Sequence, residues 1–262
     1  MKIKEVVEAL ERFAPLPLQE SYDNAGLQIG LTGNEDVSGL LLCLDVTEEV
    51  IEEAERKGCN VVVSHHPLIF RPLRHLTGQT QVERCVTMAI RKNIAIYSAH
   101  TNLDNAPRGV NFMIAEKLGL TDVNFLQPLK GGEGGSGVVG WLPGEGLAAD
   151  NFLKTLAEIF KVEGLMHNRV GCDRIIRKVA LCGGAGDFLL DEAVAQRADA
   201  FITGEMSYHR YFGHEDDILI AVMGHYQSEQ YTIQLLHRIL VNALPEARIE
   251  ETTVNTNPIA IN

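Results

Sequence analysis

The sequence predicts an α/β protein made of two related lobes that arose by internal duplication. Three observations support this fold class. Short β-branched and leucine-rich runs alternate with amphipathic helical segments, the pattern of a parallel sheet with crossover helices. The same order of elements occurs twice along the 262 residues. In both halves polar residues follow the predicted strands, at the sheet edge where open parallel sheets bind ligands.

The first half of the chain contains the clearest elements. The apolar spacing of Ile3, Val6 and Leu10 predicts a helix over 2–13 that ends before Pro15. The patterns that follow predict strands at 40–44, 61–63 and 94–98 and helices at 47–57, 80–92 and 109–119. In the second half, a strand at 138–142 and a helix at 148–161 follow a glycine-rich stretch. This stretch, 130–137, lacks the spacing of a phosphate-binding loop and is interpreted as a turn or linker.

A search for internal repeats supports the duplication. A shift of 139 positions places residues 40–66 on 179–205 without a gap. Only 4 of these 27 positions are identical, but the order strand, helix, strand is the same. The predicted boundaries are 1–124 for the first lobe, 125–178 for a connecting segment and 179–262 for the second lobe.

A second shift, of 125 positions, matches the strand exits that follow. It places His100 on His225 and Asp104 on Glu229, so each half has a strand followed by His-x-x-x-carboxylate. We therefore expect the polar strand ends of the two lobes to face one cleft.

The composition excludes several classes of protein. Apolar residues make up 45% and charged residues 22%, as in ordinary soluble domains. The formal net charge of -12 disfavours binding to nucleic acid. We find no apolar run of the roughly 18–20 residues that span a bilayer and no signal peptide, so we expect a cytoplasmic protein without membrane attachment. The five scattered cysteines never form CxxC, which argues against a disulfide framework or a cysteine zinc site.

The candidate functional residues follow the predicted strands. They are His65, His66, His100, Asp104, Glu205, His225 and Glu229. Imidazole and carboxylate together suit Zn, Fe, Mn or Ni, and five or six ligands are enough for two ions about 3.5–4 Å apart with water between them. Two other interpretations stay open. The adjacent histidines could be polar surface, and Asp104 could pair with His100 or cap the next helix.

The remaining histidines carry less information. His209 lies four residues after Glu205 and is a candidate for contact with substrate. His75, His167, His214 and His237 show no comparable spacing and are interpreted as surface or packing residues.

Five motifs carry a resemblance to a known family. They are 23–28 (DNAGLQ), 61–68 (VVVSHHPL), 100–104 (HTNLD), 201–205 (FITGE) and 224–229 (GHYQSE). In this order, and over essentially the whole chain, they resemble the YbgI-type dinuclear metal proteins, the NIF-three-like family of type-2 GTP cyclohydrolase I homologues. The resemblance implies a dinuclear metal cleft between two related lobes. It implies His65, His66, Asp104, His225 and Glu229 as ligands, with Glu229 bridging and His100 near the site.

The resemblance also implies a function. We expect a metal-dependent hydrolase similar to GTP cyclohydrolase, with two divalent ions per chain that activate a water molecule. Glu205 or His100 is the expected proton-transfer group. Asn24, Gln28 and His209 are the expected contacts to a small-molecule substrate such as a nucleotide. The alternative is a metal-bearing oligomeric binding or regulatory module without turnover. In either case family similarity implies a homohexamer.

Overall fold

The computed structural model describes residues 1–30, 32–171 and 173–261. The chain divides into two compact units. Unit 1 comprises residues 1–103 together with 232–258, and unit 2 comprises residues 104–231 with the C-terminal residues from 259 onward. Each unit contains its own multi-stranded sheet, so the predicted α/β class is confirmed.

The elements follow one another as listed here. The helices are α1 (Ile3–Phe13), α2 (Glu48–Arg56), α3 (Gln81–Arg91), α4 (Thr101–Asp104), α5 (Val110–Lys117), α6 (Ala149–Phe160), α7 (Leu190–Ala195), α8 (His225–Glu229) and α9 (Thr232–Ala243). The strands are β1 (Gly26–Ile29), β2 (Leu40–Cys43), β3 (Val61–Ser64), β4 (Ala95–Ser98), β5 (Thr121–Pro128), β6 (Gly135–Trp141), β7 (Leu147–Ala148), β8 (Met166–His167), β9 (Ile175–Ile176), β10 (Lys178–Cys182), β11 (Ala200–Thr203), β12 (Leu219–Val222) and β13 (Ile249–Glu251).

Unit 1 is organised around a sheet with the order β1-β4-β3-β2-β13. Strands β13, β2, β3 and β4 run parallel, and β1 is antiparallel to β4 at the edge. Every residue of β2, β3 and β4 is buried, as expected for parallel strands that helices cover on both faces. Helices α2 and α3 pack on this sheet, and α9 contacts β2 and β13 as well as α1.

Helix α2 shows how local sequence sets the ends of an element in unit 1. Thr47 is its N-cap, and the Thr47 hydroxyl oxygen accepts a hydrogen bond from the Val50 amide at 3.3 Å. Glu48 lies in the first turn, where a negative charge interacts favourably with the helix dipole. The helix ends before Gly58, whose φ of +65° is a left-handed conformation that glycine adopts without strain.

Unit 2 contains a sheet with the order β5-β6-β10-β11-β12-β8 and a small sheet of β7 and β9. The parallel arrangement predicted from the sequence holds for β10, β11 and β12, whereas the outer strands pair antiparallel. The glycine-rich stretch 130–137 is part turn and part strand. It closes the β5–β6 hairpin, in which the Leu129 amide donates to the Gly134 carbonyl at 2.8 Å.

The sheet registers of the two units correspond. One row of the unit 1 sheet holds Leu40, Val61 and Ala95, and one row of the unit 2 sheet holds Val179, Ala200 and Leu219. The first two positions differ by 139, which matches the predicted shift residue for residue. The third differs by 124 rather than the predicted 125, so His100 and His225 are not at equivalent distances from their strands.

The division into units differs from the predicted lobe boundaries. Residues 125–178, expected to be a connection, contribute β6, α6 and β8 to unit 2. Residues 232–258, expected in the second lobe, belong to unit 1. The physical reason is that β13 pairs in parallel with β2 and gives that strand a neighbour on its second side. A pairing across some 200 residues leaves no local signal in the sequence.

Two further expectations bear on the class of protein. Cys43, Cys59, Cys85 and Cys182 are buried, as expected for small apolar side chains, and burial raises the pKa of Cys85 to about 11. Cys172 lies outside the described residues. Across the described part of the chain, no helix has both the length and the apolar character needed to cross a bilayer.

Candidate metal centre

His65 and His66 directly follow β3, where two serines hold the strand end in place. The Ser64 and Ser98 hydroxyls are hydrogen-bonded at 2.8 Å, which joins the ends of β3 and β4. The Ser64 hydroxyl also donates to the His66 carbonyl at 2.9 Å. Since β3 is buried along its length, the chain leaves the sheet in one defined direction, and the two imidazoles lie at its carboxyl edge.

The His65 imidazole is fully buried and has a defined tautomer. Its Nδ1 lies 2.8 Å from the Ala99 carbonyl oxygen. A carbonyl oxygen only accepts hydrogen bonds, so Nδ1 carries a proton. In a ring held in this way, Nε2 is the nitrogen that would bind a metal ion.

His66 and His100 are each oriented by a carboxylate. The His66 Nδ1 lies 2.7 Å from Asp45 Oδ1, and the His100 Nδ1 lies 2.7 Å from Asp23 Oδ1. Burial opposes ionisation of Asp23, but hydrogen bonds from His100 and Thr101 outweigh it and lower its pKa to about 2. At Asp45 burial is likewise outweighed, chiefly by the hydrogen bond from His66, and the pKa is lowered. Both carboxylates are therefore ionised at neutral pH and accept a hydrogen bond from the Nδ1–H group of their histidine.

Sequence reasoning did not assign a role to either carboxylate. Asp23 was noted only as the first residue of a motif, and Asp45 was not singled out. The available signal for Asp45 was its position directly after β2, next to the strand exit that carries His65 and His66. Its partner is 21 residues away in sequence, so only the sheet pairing brings the two side chains together.

Three histidines of unit 1 form one cluster. The ring centroids of His65 and His66 are 4.8 Å apart. The ring centroid of His100 lies 5.4 Å from that of His65 and 5.5 Å from that of His66. One ring nitrogen from each histidine lies within 4.8 Å of the other two, so the cluster could hold a metal ion. The structure thus places His100, predicted as a near-site residue, beside the two predicted histidine ligands.

Unit 2 contains the other three predicted ligands. His225 is the first residue of α8 and Glu229 the last. The spacing of four residues puts both side chains on one face, with His225 Nε2 3.1 Å from Glu229 Oε2. A carboxylate oxygen of Asp104 lies within 4.8 Å of one from Glu229. The Asp104 residue does not cap α5, whose N-cap is Gly109.

The predicted proton-transfer residue Glu205 contacts one of these side chains. Its Oε1 lies 2.7 Å from His225 Nδ1. Like the histidines of unit 1, His225 therefore has an oxygen acceptor at Nδ1, and its Nε2 faces Glu229. Glu205 itself is exposed. In this position Glu205 orients His225 in the same way as Asp45 orients His66.

The residues predicted to contact substrate have other partners. The Asn24 amide donates to the Ile69 carbonyl at 2.6 Å, and Gln28 Oε1 accepts from the Ile69 amide at 3.1 Å. Both side chains hold the segment that follows the adjacent histidines. His209 is exposed, and its ring contacts Tyr208 and Phe212.

An exposed aromatic surface lies beside the histidine cluster of unit 1. Phe70 is 42% exposed, and its ring centroid lies 6.2 Å from that of His100 in an edge-to-face arrangement. Tyr22 is 64% exposed and contacts Phe70 at 6.5 Å. The grip of Asn24 and Gln28 on Ile69 therefore also places Phe70.

Two histidines outside the predicted set have a carboxylate nearby in the described part of the chain. The His214 Nδ1 lies 3.8 Å from Asp217 Oδ2. The His237 Nδ1 lies 2.6 Å from Glu251 Oε1, a partner that its sequence spacing did not indicate. The pair is exposed, and His237 belongs to none of the groups of three or more potential ligands found among the described residues. A paired histidine alone therefore does not define the site.

The donor set fits a divalent transition metal. Four histidines have Nδ1 held by an oxygen acceptor, and two side chains of unit 2, Asp104 and His225, lie close to Glu229. Such outer partners are usual for metal-binding histidines, because they fix the tautomer and the ring orientation. Nitrogen and oxygen ligands without cysteine suit Zn, Mn, Fe or Ni.

The fold and this cluster define an α/β protein with a group of histidine and carboxylate side chains that could hold a metal ion. A family model described as Duf34/NIF3 (NGG1p interacting factor 3) matches residues 1–258, and the chain belongs to this family. The resemblance noted in the sequence is confirmed.

Individual relatives agree with this assignment. A Clostridium acetobutylicum protein named GTP cyclohydrolase 1 type 2 homolog is 32% identical over 253 residues, which covers 93% of this chain and 91% of that protein. The crystal structure of the Staphylococcus aureus hypothetical protein SA1388 has a TM-score of 0.92 at 25% identity and covers 100% of this chain and 99% of that chain. The structure of protein ybgI, whose title gives its function as unknown, has a TM-score of 0.82 at 22% identity, covers 99% and 100%, and shows the fold alone.

Proposed function

We propose that this protein is a divalent-metal-dependent hydrolase with two ions per chain, held by His65, His66, Asp104, His225 and Glu229. The observation that carries the proposal is the common state of the histidines. His65 Nδ1 faces a carbonyl oxygen, and His66 and His225 face carboxylates through Nδ1, the kind of outer contact that orients metal-binding histidines. Bound divalent ions supply Lewis acidity and lower the pKa of water toward about 7.

The chain's own residues supply the rest of the chemistry. Glu205 is exposed, and its carboxylate is hydrogen-bonded to His225 Nδ1. It is therefore the proposed proton-transfer group, with His100 as the second candidate. Because Asp23 orients His100, this ring presents Nε2 in a defined direction. Asn24 and Gln28 act on substrate indirectly, by holding Ile69 and the aromatic residue that follows it.

The substrate class follows from the surface next to the histidine cluster. Phe70 and Tyr22 present exposed ring faces or edges there, and such surfaces bind flat rings by stacking. A small molecule with a hydrolysable heterocyclic ring fits this surface, in agreement with the relatives named GTP cyclohydrolase 1 type 2 homolog. On family similarity, we extend the proposal to a cytoplasmic location and a homohexameric assembly. Light scattering on the purified protein measures the number of chains in the assembly directly.

A second candidate function has one observation in its favour. Unit 2 has a cavity of about 500 Å³ lined by Met166, Tyr208, Tyr211 and Phe212 among others, and three of these side chains are more than half exposed. Exposed aromatic surface of this kind is typical of protein-binding sites. A metal-bearing binding or regulatory module without turnover would use this surface and leave substrates unchanged.

Metal content and turnover together test the proposal. Elemental mass spectrometry on protein purified without a histidine tag or chelator should find about two ions per chain. The metal-loaded protein should then hydrolyse at least one member of a panel of GTP, cyclic amides and phosphoesters. His66→Ala should abolish this activity. His237→Ala is the matched control, because it removes another carboxylate-paired histidine of unit 1 and should leave activity unchanged.

The outcomes separate the two functions. Metal binding without turnover of any substrate, together with a partner that copurifies and is lost in a Phe212→Ala variant, would support the module. A metal content near zero after reloading with Zn, Mn, Fe or Ni would contradict the metal site as a whole.

A further inference from the structure

The C-terminal segment of unit 1 is tied to the first half of the chain by side-chain hydrogen bonds. We name residues 252–257 the strap. The Thr252 amide donates to the Leu42 carbonyl at 2.9 Å, which continues the pairing of β13 with β2. The Thr252 hydroxyl and both the amide and the hydroxyl of Thr253 donate to the Glu53 carboxylate on α2, and Glu53 is only 2% exposed. The path of the strap along α2 and β2 is therefore defined.

Farther along, the strap reaches the carboxylate that orients a predicted metal ligand. The Thr256 hydroxyl donates to Asp45 Oδ2 at 2.7 Å. The other oxygen of the same carboxylate, Oδ1, accepts from His66 Nδ1 at 2.7 Å. The two bonds join Thr256, Asp45 and His66 in one chain that ends at the imidazole.

Asp45 needs such a support. Its side chain is 36% exposed, so water can compete for both oxygens and the free side chain would occupy several rotamers. A hydrogen bond from a threonine hydroxyl on a fixed segment selects one orientation of the carboxylate. Threonine suits this role because its β-branched side chain has few rotamers. The orientation of the carboxylate in turn decides the direction in which His66 Nε2 points.

We propose that Thr256 is a positioning residue of the metal centre, which sets metal affinity by holding Asp45 and through it the His66 ring. The inference rests on the proposed assignment of His66 as a ligand. It makes the C-terminal strap, some 190 residues away in sequence from the histidine pair, a functional part of the site. It also gives a role to the return of the chain to unit 1 at residue 232.

The first test measures the dissociation constant of Co²⁺ for the otherwise metal-free full chain, by titration of the visible absorption of the bound ion. Thr256→Val keeps the shape of the side chain but removes the hydrogen bond, and should weaken binding about 3- to 10-fold, the range expected for one such bond. Thr256→Ser restores the hydroxyl and should bind as the wild type does. Asp45→Asn should weaken binding about 10- to 100-fold, as other outer partners of metal-binding histidines do.

The matched control lies on the same strap. Thr253→Val removes a hydroxyl that donates to Glu53 at 2.8 Å, a bond of the same kind without a connection to His66. This variant should lose thermal stability but bind Co²⁺ with wild-type affinity. Equal weakening by Thr253→Val and Thr256→Val would mean that the strap acts on stability alone and would overturn the inference.

A second measurement needs no metal. In long-range ¹H–¹⁵N spectra of the metal-free protein, His66 should be the Nδ1–H tautomer in the wild type and in Thr256→Ser, and a mixture of tautomers in Thr256→Val. An unchanged His66 signal in Thr256→Val would overturn the inference whatever the metal affinity. If instead His66→Ala binds Co²⁺ as tightly as the wild type, the ligand assignment of the proposed function is wrong, and the spectra report this separately from the effect of Thr256.

Discussion

The two units carry the same strand–helix–strand repeat but use its exits in opposite ways. In unit 1 the exits of β2 and β3 carry the side chains Asp45, His65 and His66. The shift of 139 positions places these on Gly184, Gly204 and Glu205 in unit 2. The predicted ligand His65 and the carboxylate Asp45 thus correspond to glycines in unit 2, whereas His66 corresponds to Glu205.

The glycines at the strand exits of unit 2 leave space for helix α8, which carries His225 and Glu229. A Cβ atom on Gly184 would lie 2.4 Å from Glu229 Oε1, and a Cβ atom on Gly204 would lie 2.7 Å from the Ser228 hydroxyl and 3.0 Å from His225 Cα. Helix α8 can therefore lie close against the strand exits only because these residues have no side chain. The repeated scaffold thus carries predicted ligands directly at the strand exits in unit 1 and on helix α8 in unit 2.

The comparison is tested most severely at Glu229, on which the ligands of unit 2 converge. Glu229→Ala should weaken metal binding at least 100-fold, on the order of 3 kcal/mol, because it removes a carboxylate close to both His225 and Asp104. The fold should survive, since the variant also relieves the cost of a buried charge in the metal-free state. Elemental analysis and circular dichroism measure the two effects. Full metal occupancy in this variant, at the level of an Asp191→Asn control, would remove Glu229 from the site.

A second test uses equivalent glutamates, since Glu53 of α2 corresponds to Glu192 of α7. Burial opposes ionisation of Glu53, but hydrogen bonds led by those from Thr252 and Thr253 lower its pKa from 4.5 to about 2. Glu192 accepts a hydrogen bond from the Gln196 side chain at 2.9 Å, and among the described residues no segment corresponding to the strap contacts its carboxylate. Glu53→Gln should lower the free energy of unfolding at pH 7 by about 2–3 kcal/mol, whereas Glu192→Gln should change it by less than about 0.5 kcal/mol.

The pH dependence of this effect has a defined sign. The folded-state pKa of Glu53 is below the unfolded value, so its stabilisation is fully present above about pH 4.5 and is lost as the pH falls toward 2. Urea unfolding at several pH values should therefore show wild type and Glu53→Gln converging in this window. Parallel curves at a constant separation would show that the effect of Glu53 is not electrostatic.

The space that the glycines provide is tested by Gly204→Ala. The added methyl group would meet the Gly184 carbonyl oxygen at 2.6 Å, which is closer than real Cβ contacts, so backbone must shift. We expect a loss of about 1–3 kcal/mol in the free energy of unfolding, by analogy with other overpacked sites. Gly164→Ala is the control, because its nearest neighbours are 3.5 Å away. Equal stability of the two variants would mean that α8 can move outward without cost.

The smallest effect is expected at the helix starts. Thr47 caps α2, and the equivalent position before α7 is Gly186, which has no side-chain cap. Thr47→Ala should destabilise the protein by about 1 kcal/mol, the usual value of such a cap, and Thr47→Ser should have nearly no effect. Thermal unfolding monitored by circular dichroism is sufficient to measure it. A Thr47→Ala variant as stable as the wild type would show that packing of α2 makes its cap redundant.

Much of the scaffold could be predicted because its signals are local. The buried run of β3 and the helical spacing of α1 are readable within a few residues, and the predicted ends agree with the structure to within a residue or two. The shift of 139 positions was correct for both strands of the first repeat because the connection between the two strands has the same number of residues in each unit. The second shift was wrong by one residue. Aligning His100 with His225 requires 125 positions, whereas the register of β4 and β12 corresponds to 124.

The histidines and carboxylates of the candidate site could be proposed for the same reason, because they directly follow predicted strands or lie in recognisable motifs. Their partners could not. Asp45 is 21 residues from His66 and Thr256 is 211 residues from Asp45, and a hydrogen bond over such a separation leaves no periodic signal. The paired His237 shows the converse, since a pairing in three dimensions does not identify a ligand.

The amino-acid sequence by itself determined the α/β class, the repeated strand order and the residue types available for a metal, because these depend on composition, periodicity and spacing. Only the tertiary structure decided which nitrogen of each histidine faces an oxygen partner, why glycine stands at Gly184 and Gly204, and why the C-terminal strap returns to β2. These features depend on the close approach of segments distant in the chain, and sheet register and packing determine that approach.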